Sequence, residues 1–454
     1  MTFRRRLICP FLFLWLGLRL VGAPAGAEAL LIVTGDQHSS YERTAQFVAL
    51  VDRLKAEHPA LPMAVLLDGD TQEYGNIVAR RTGGAIDFAV LAALVRRVPT
   101  ILNLGNHEPE FYDFDDTVHR VRSTGVTVVS NIVNRATNEP FAPATIRLKL
   151  GREEAVIVGV TTDKLATYRV AVRPSLDLAN PVVWAKKNFS GLLAVAPLKI
   201  VLSHAGLAAD REMLALVPDG TLFAGAHDHL RFVQPFGRTV YFHSGSWNEY
   251  VSLAWLCRDE SGAPRWVVEQ QRVPADGPAD PELTALIRDT LAKNLTPEDT
   301  APVGRTAAAL STAEAGRFAA AALRQGAGVD AAFIGNTTFG AGLPAGEVTH
   351  VQFDACVRFD GAIFVAEVDG ARLNRLLAAA NQGPDTSFAQ RQGESNFAAG
   401  PAQIDPARRY RIATTDWGAR NTDRYFGAPA LTWQEQSGPK LKARVLAALK
   451  AQPE

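Results

Sequence analysis

Cysteine is nearly absent from this sequence, with three in 454 residues: Cys9, Cys257 and Cys356. So few thiols exclude a disulfide-stapled fold. They also disfavour an iron–sulfur cluster or a thiolate copper site. An oxidising compartment would permit a disulfide between Cys257 and Cys356, but they fall in different predicted domains and read as two separate buried thiols. Excess charge is missing as well: 47 Lys and Arg stand against 47 Asp and Glu. No Lys/Arg-rich run follows the N-terminus, so there is no basic field to draw nucleic acid. No stretch is both long and apolar enough to span a bilayer, and no internal repeat is present.

What is present is globular, with 47% hydrophobic and 21% charged residues and length for two domains. The N-terminus reads as a signal peptide over 1–27. Arg4-Arg5-Arg6 is a basic start, 7–21 is a short apolar run interrupted by Arg19, and small residues follow at Ala25-Gly26-Ala27. Removing 1–27 takes away four arginines, leaving 43 basic against 47 acidic residues. The expectation is a secreted, periplasmic, monomeric protein without stable membrane association.

Between 28 and 257, strand-like runs alternate with helical spacing. Strands are expected at 30–34, 64–67, 100–104, 155–160, 199–202, 222–224 and 239–242. Helices are expected at 41–58, 85–98, 177–194 and 209–216. Such alternation implies α/β layers. From 258 to 305 the texture changes to a Pro/Asp-rich linker with a connector helix at 281–294. A second mixed domain follows over 306–454, with strands near 331–334, 348–354, 362–367 and 410–414. Its helices are expected at 308–324, 370–381 and 438–450.

Five of the expected strands end in metal-ligand residue types. The stretches are Gly35-Asp36-Gln37-His38, Asp68-Gly69-Asp70, Gly105-Asn106-His107-Glu108, Ser203-His204 and Gly225-Ala226-His227-Asp228-His229. In open α/β sheets, ligands bind beyond the carboxyl ends of the strands. Taken singly, each has an ordinary reading: a surface turn, a helix cap, a satisfied histidine. Taken together, and all at strand ends, they point to one cluster. Asp36, His38, Asp70, Asn106, His204, His227 and His229 are more ligands than one ion needs. Their O/N character suits two divalent ions of Zn, Mn, Fe or Co, with Asp70 as the natural bridge. Two such ions hold a bridging hydroxide and clamp a phosphoryl oxygen. His107 is the candidate proton donor and Glu110 its orienting acid. Asp228 reads as a supporting residue, and His243 as structural.

This motif order resembles the calcineurin-like metallophosphoesterases, and the whole mature chain resembles the secreted 5'-nucleotidase family. That family includes UDP-sugar hydrolases and 2',3'-cyclic nucleotide phosphodiesterases. The resemblance implies a four-layer α/β sandwich, with mixed sheets flanked by helices, followed by a smaller α/β substrate-specificity domain. It implies Asp36, His38, Asp70 and His229 around one metal, Asp70, Asn106, His204 and His227 around the other, and His107 as the catalytic histidine. Glu110 replaces the family's usual Asp. In the second domain, Ala413-Thr414-Thr415-Asp416-Trp417 resembles the segment supplying a stacking aromatic, Trp417, with Asp423 at an acid shortly after. Phe397 is the expected second aromatic. The family's Asn-Gly-Gly-x-Arg loop is here Gly335-Asn336-Thr337-Thr338-Phe339, without its arginine, and Arg358 is the expected partial substitute. The implied activity is hydrolysis of nucleotides or related small phosphoesters. The alternatives are a related hydrolase of the same fold, such as the thiosulfohydrolase of sulfur oxidation, or a non-catalytic secreted binding protein.

Overall fold

In a strand buried on both faces, successive side chains serve two different cores. Strand Ala29–Thr34 does this throughout: Leu30 and Ile32 turn to a layer of helices, while Leu31 and Val33 turn to a second sheet. The computed structural model describes residues 22–452, so most of the expected signal segment lies outside the described residues. In it the first sheet has six strands, in the order Pro264–Arg272, Tyr250–Arg258, Ala29–Thr34, Met63–Asp68, Thr100–Asn103, Thr127–Val129. The last four of these run parallel to one another. The second sheet runs Arg231–Phe236, Thr239–Ser244, Leu222–Gly225, Leu198–His204, Glu153–Thr161, Thr145–Leu150.

The sheets meet through Leu31, Leu66, Ile157, Ile200, Leu202 and Phe242. The outer face of the first carries Phe47, Val51 and Leu54 of helix Thr44–Glu57 and Leu91 and Leu94 of helix Ala85–Val95. The outer face of the second carries Phe189 of helix Pro181–Leu192 and Met213 of helix Leu207–Met213. The result is the expected helix–sheet–sheet–helix sandwich.

The linker expectation over 258–305 is corrected. Strand Pro264–Arg272 pairs with Tyr250–Arg258 along its whole length and forms the edge of the first sheet. It escapes the sequence pattern because its second half, Glu269 to Arg272, is polar, as an edge strand permits. Helix Pro281–Asn294 lies where expected, yet it is docked rather than free: Leu283 and Ile287 sit in the first helical core.

The second domain has a five-stranded sheet, Asn396–Ala399, Ala331–Gly335, Arg409–Thr415, Ile363–Asp369, Gln434–Gln436. Helices Thr312–Ala327 and Leu441–Lys450 cover one face. The first of these opens with a Ser311/Glu314 capping box and ends at Gly328, whose φ of 64° suits a left-handed cap. The strand expected over 348–354 is another correction. It stops at Thr349, where a Thr349/Gln352 capping box starts helix His350–Cys356. Cys257 and Cys356 are both free and buried. Among the described residues, no helix is long and apolar enough to cross a membrane.

Candidate metal centre

Three of the five ligand-bearing stretches leave their strands through a backbone that ordinary residues avoid. Asp36, His38, Asp70, His227 and His229 all have positive φ, between 49° and 77°. Left-handed non-glycine residues persist only where the surroundings over-determine them, and they cluster at functional sites. Gly69, at φ 75°, sits so close to His204 that a Cβ would stand 2.5 Å from the ring Nδ1. Glu108, fully buried, ties two of these loops together. Its carboxylate accepts the N–H groups of Asp70 at 3.1 Å, Thr71 at 2.7 Å and Gly105 at 2.5 Å.

The side chains converge as two adjacent clusters. In the first, His38 Nε2 and His229 Nε2 are 2.9 Å apart, and both lie within 4 Å of Asp36 Oδ1, at 3.8 and 3.9 Å. In the second, ligand atoms of Asp70, His204 and His227 lie within 4.8 Å of one another. His204 Nδ1 donates to the Asp68 carbonyl at 2.7 Å, which leaves Nε2 facing Asp70 Oδ2 at 3.0 Å. Asp70 also groups with His38 and His107, so it stands between the clusters. His204 Nε2 is only 3.8 Å from Asp36 Oδ1.

These residues fit divalent cations. Asn106 Oδ1 and His227 Nε2 are buried without a hydrogen-bond partner. Burial holds His38, His227 and His229 well below the ordinary histidine value, so the rings stay neutral with lone pairs free. His107 behaves in the opposite sense. Burial pulls it down, but the carboxylates of Asp70 and Glu110 outweigh this and raise it to about 9. Its Nδ1 is 2.7 Å from Glu110 Oε1, and its backbone N–H donates to Asp70 Oδ1 at 2.7 Å. The ring therefore faces the cavity as a proton carrier held by an acid.

That cavity, of about 300 Å³, is lined by both domains. Asp70, Asn106, His107 and His227 form its floor, and Arg358, Phe359 and Trp417 come from the second domain. Arg358 is buried, with its Nε and Nη2 lacking a hydrogen-bond partner. Its guanidinium lies 4.5 Å from the Trp247 ring centroid, and burial lowers it to about 9. Trp247 in turn stacks on His38, with centroids 5.0 Å apart at 23°.

Two expected substrate contacts are not in this cavity. Phe397 faces the helical side of its short strand, packed on Gly316 and on Phe339 at 5.5 Å, and is core. Asp423 is exposed in a separate depression beside Arg372 and Arg375. Neighbouring helical residues point about 100° apart. It is therefore Arg424, one position on, that turns inward, to Glu394 at 2.6 Å. The exposed aromatic that does line the cavity is Phe359. It directly follows Arg358 in the chain. Glu73 and Trp247 carried no motif at all. Asp228 accepts the Leu207 N–H at 2.6 Å, and His243 is absorbed in a buried network with Tyr241 and Asp210.

A sandwich that delivers paired His/Asp clusters to a cleft shared with a second domain defines a metal-dependent phosphoester hydrolase. The chain belongs to the calcineurin-like phosphoesterases. Residues 29–231 match the model described as calcineurin-like phosphoesterase, and residues 296–430 match the 5'-nucleotidase C-terminal domain. Among solved structures, it is similar to a 5'-nucleotidase precursor from Thermus thermophilus, at 17% identity and TM-score 0.62, covering 93% of this chain and 96% of that one. It is also similar to the sulfate thiohydrolase SoxB of the same species, at 15% identity and TM-score 0.64, covering 95% and 97%. A third is the 5'-nucleotidase of Candida albicans, at 12% identity and TM-score 0.61, covering 94% and 99%. No curated protein sequence matches the chain.

Proposed function

We propose that this protein is a periplasmic, monomeric phosphoesterase that hydrolyses nucleotides or closely related small phosphoesters. One observation carries the reading: the His/Asp clusters, the buried Arg358 and the aromatic rings of Trp247, Phe359 and Trp417 line one cavity. Asp36, His38, Asp70 and His229 would hold one divalent ion, and Asp70, Asn106, His204 and His227 the other, drawn from Zn, Mn, Fe or Co. When bound, such ions supply Lewis acidity at the phosphoryl oxygens and activate water as the nucleophile.

The remaining chemistry belongs to the chain itself. His107, held through Nδ1 by Glu110 at 2.7 Å, donates its proton to the leaving oxygen. Arg358, in the cavity wall, offers its guanidinium to an anionic oxygen, in place of the arginine missing from 335–342. Trp417 and Phe359 offer ring faces to a base. Stacking on an aromatic is worth roughly 1–3 kcal/mol per base.

The test is hydrolysis by metal-refilled protein, read as phosphate release from nucleoside monophosphates and ADP, as nucleotide products from UDP-glucose and 2',3'-cyclic AMP, and as p-nitrophenol from bis-p-nitrophenyl phosphate. His107→Ala should lower kcat by about 10²–10⁴ with metal content kept. Trp417→Ala and Phe359→Ala should raise KM for nucleotides roughly 5- to 150-fold, the stacking energy above, and leave the generic diester unchanged. Metal-dependent turnover of the diester alone would remove the nucleotide reading.

A further inference from the structure

Glu73 lies outside every role assigned so far, yet it is 3% exposed at the rim of the metal centre. One of its oxygens, Oε1, is fixed locally by the Gly75 N–H at 2.8 Å. The other faces three groups from three distant parts of the chain. Oε2 lies 3.3 Å from His38 Nδ1, 3.3 Å from Arg358 Nη2 and 3.8 Å from His107 Nδ1. Neither His38 Nδ1 nor the Nε and Nη2 of Arg358 has a hydrogen-bond partner elsewhere.

We propose that Glu73 is a positioning residue, whose carboxylate orients the His38 imidazole toward its metal and holds the Arg358 guanidinium over the same centre. The inference rests on the two-metal reading above. A carboxylate at Nδ1 keeps the proton there and turns the Nε2 lone pair to the ion, and such supporting acids typically matter about 10- to 100-fold in metal affinity or activity. His38 has this geometry: Nε2 faces Asp36 and His229, while Nδ1 faces Glu73.

Trp247 closes the arrangement. It stacks on His38 at 5.0 Å and carries Arg358 on its ring at 4.5 Å, so His38, Trp247, Arg358 and Glu73 form a closed circuit across the two domains. Trp247 and Asn248 are held in left-handed backbone, φ 61° and 51°, with the Trp247 N–H donating to the Asp36 carbonyl at 2.8 Å. Charge points the same way. Two divalent ions and Arg358 would face only two ligand carboxylates, Asp36 and Asp70. A buried cation beside metal ions needs a further anion, and Glu73 supplies it.

The experiment is Mn²⁺ titration of metal-free protein, followed by electron paramagnetic resonance of the free ion. Glu73→Gln keeps the volume and an acceptor for Gly75 but removes the charge. The expected result is Mn²⁺ affinity about 10- to 100-fold weaker, partly restored in Glu73→Asp. A loss of packing alone would not be rescued by the shorter acid. Arg358→Gln, which leaves the His38 contact in place, should bind Mn²⁺ at least as tightly as the wild type. Wild-type affinity in Glu73→Gln overturns the proposal, as does an Arg358→Gln loss equal to that of Glu73→Gln. Should Glu73→Gln not fold, Glu73→Gln/Arg358→Gln removes both buried charges together. Weak Mn²⁺ binding in it supports the proposal, and wild-type binding overturns it. A wild type that binds Mn²⁺ but hydrolyses none of the panel would remove the phosphoesterase reading and leave this metal test standing.

Discussion

Asp87 shows how a carboxylate outside the centre registers pH. Burial raises it to about 7, partly offset by the Tyr41 hydroxyl donating to Oδ2 at 3.0 Å. An unfolded Asp titrates near about 3.9. Between those values the folded state binds the extra proton, so this residue's contribution to stability falls as pH rises from about 4 to 7. Asp87→Asn removes the ionisation and keeps the shape. Relative to wild type, the variant should gain roughly 2–4 kcal/mol on going from about pH 4 to pH 8. Urea unfolding at both values checks this, and an equal difference at the two pH values would refute it. The same environment-dependence separates His107, raised by Asp70 and Glu110, from His227, lowered by burial, although the two are chemically identical side chains.

Helix Pro281–Asn294 illustrates what makes a connector a structural element. Pro281 occupies its first turn, and Asp280 caps it by accepting the Leu283 N–H at 2.7 Å. Asp280 also pairs with Arg97 Nη2 at 2.5 Å, which fastens the cap to the first domain. Losing the cap should cost about 1–2 kcal/mol in Asp280→Ala. Losing the buried leucine should cost about 2–5 kcal/mol in Leu283→Ala. Both should lower the urea midpoint of the first domain without changing KM. An unchanged midpoint in Leu283→Ala would mean that the helix does not contribute to the first core. By contrast, the short strand Asn396–Ala399 owes its orientation to its neighbours: Phe397 turns inward because Gly316 of helix Thr312–Ala327 leaves room for its ring.

At the level of the complete chain, the centre is a product of both domains. Arg358 and Trp417 line the same cavity as the first domain's ligands, Asn336 donates to the Asp228 carbonyl at 3.1 Å, and Arg211 bonds the carbonyls of Phe388 and Arg391. A metal that binds only the folded state stabilises it by mass action, about 2.7 kcal/mol at a hundredfold excess over Kd. For units of this size that corresponds to a rise in melting temperature of roughly 5–10 °C. Chelation followed by Mn²⁺ or Zn²⁺ addition, read by calorimetry, checks it. A melting temperature indifferent to both would be incompatible with the proposed ligand set. Asp36→Asn, which spares the ligands of the second ion, should reduce the metal-dependent shift.

The strand-end positions of Asp36, His38, Asp70, Asn106, His204, His227 and His229 were legible in the chain itself. Each follows an apolar run, and parallel strands bring their carboxyl ends to one edge by a general rule. The helix–sheet alternation was legible for the same reason: burial on two faces writes continuous apolar runs separated by amphipathic ones. Strand Pro264–Arg272 was not, because an edge strand need not be apolar. Glu73, Trp247, Phe359 and the inward turn of Phe397 were not either. These sit in loops or short strands where no periodicity says which way a side chain points. Glu73 and Arg358 are far apart in the chain, yet they meet at 3.3 Å. Local pattern sets which residues end a strand. Which loop residues then share a buried cleft depends on how two domains pack, and that is decided by long-range contacts that no short stretch of sequence contains.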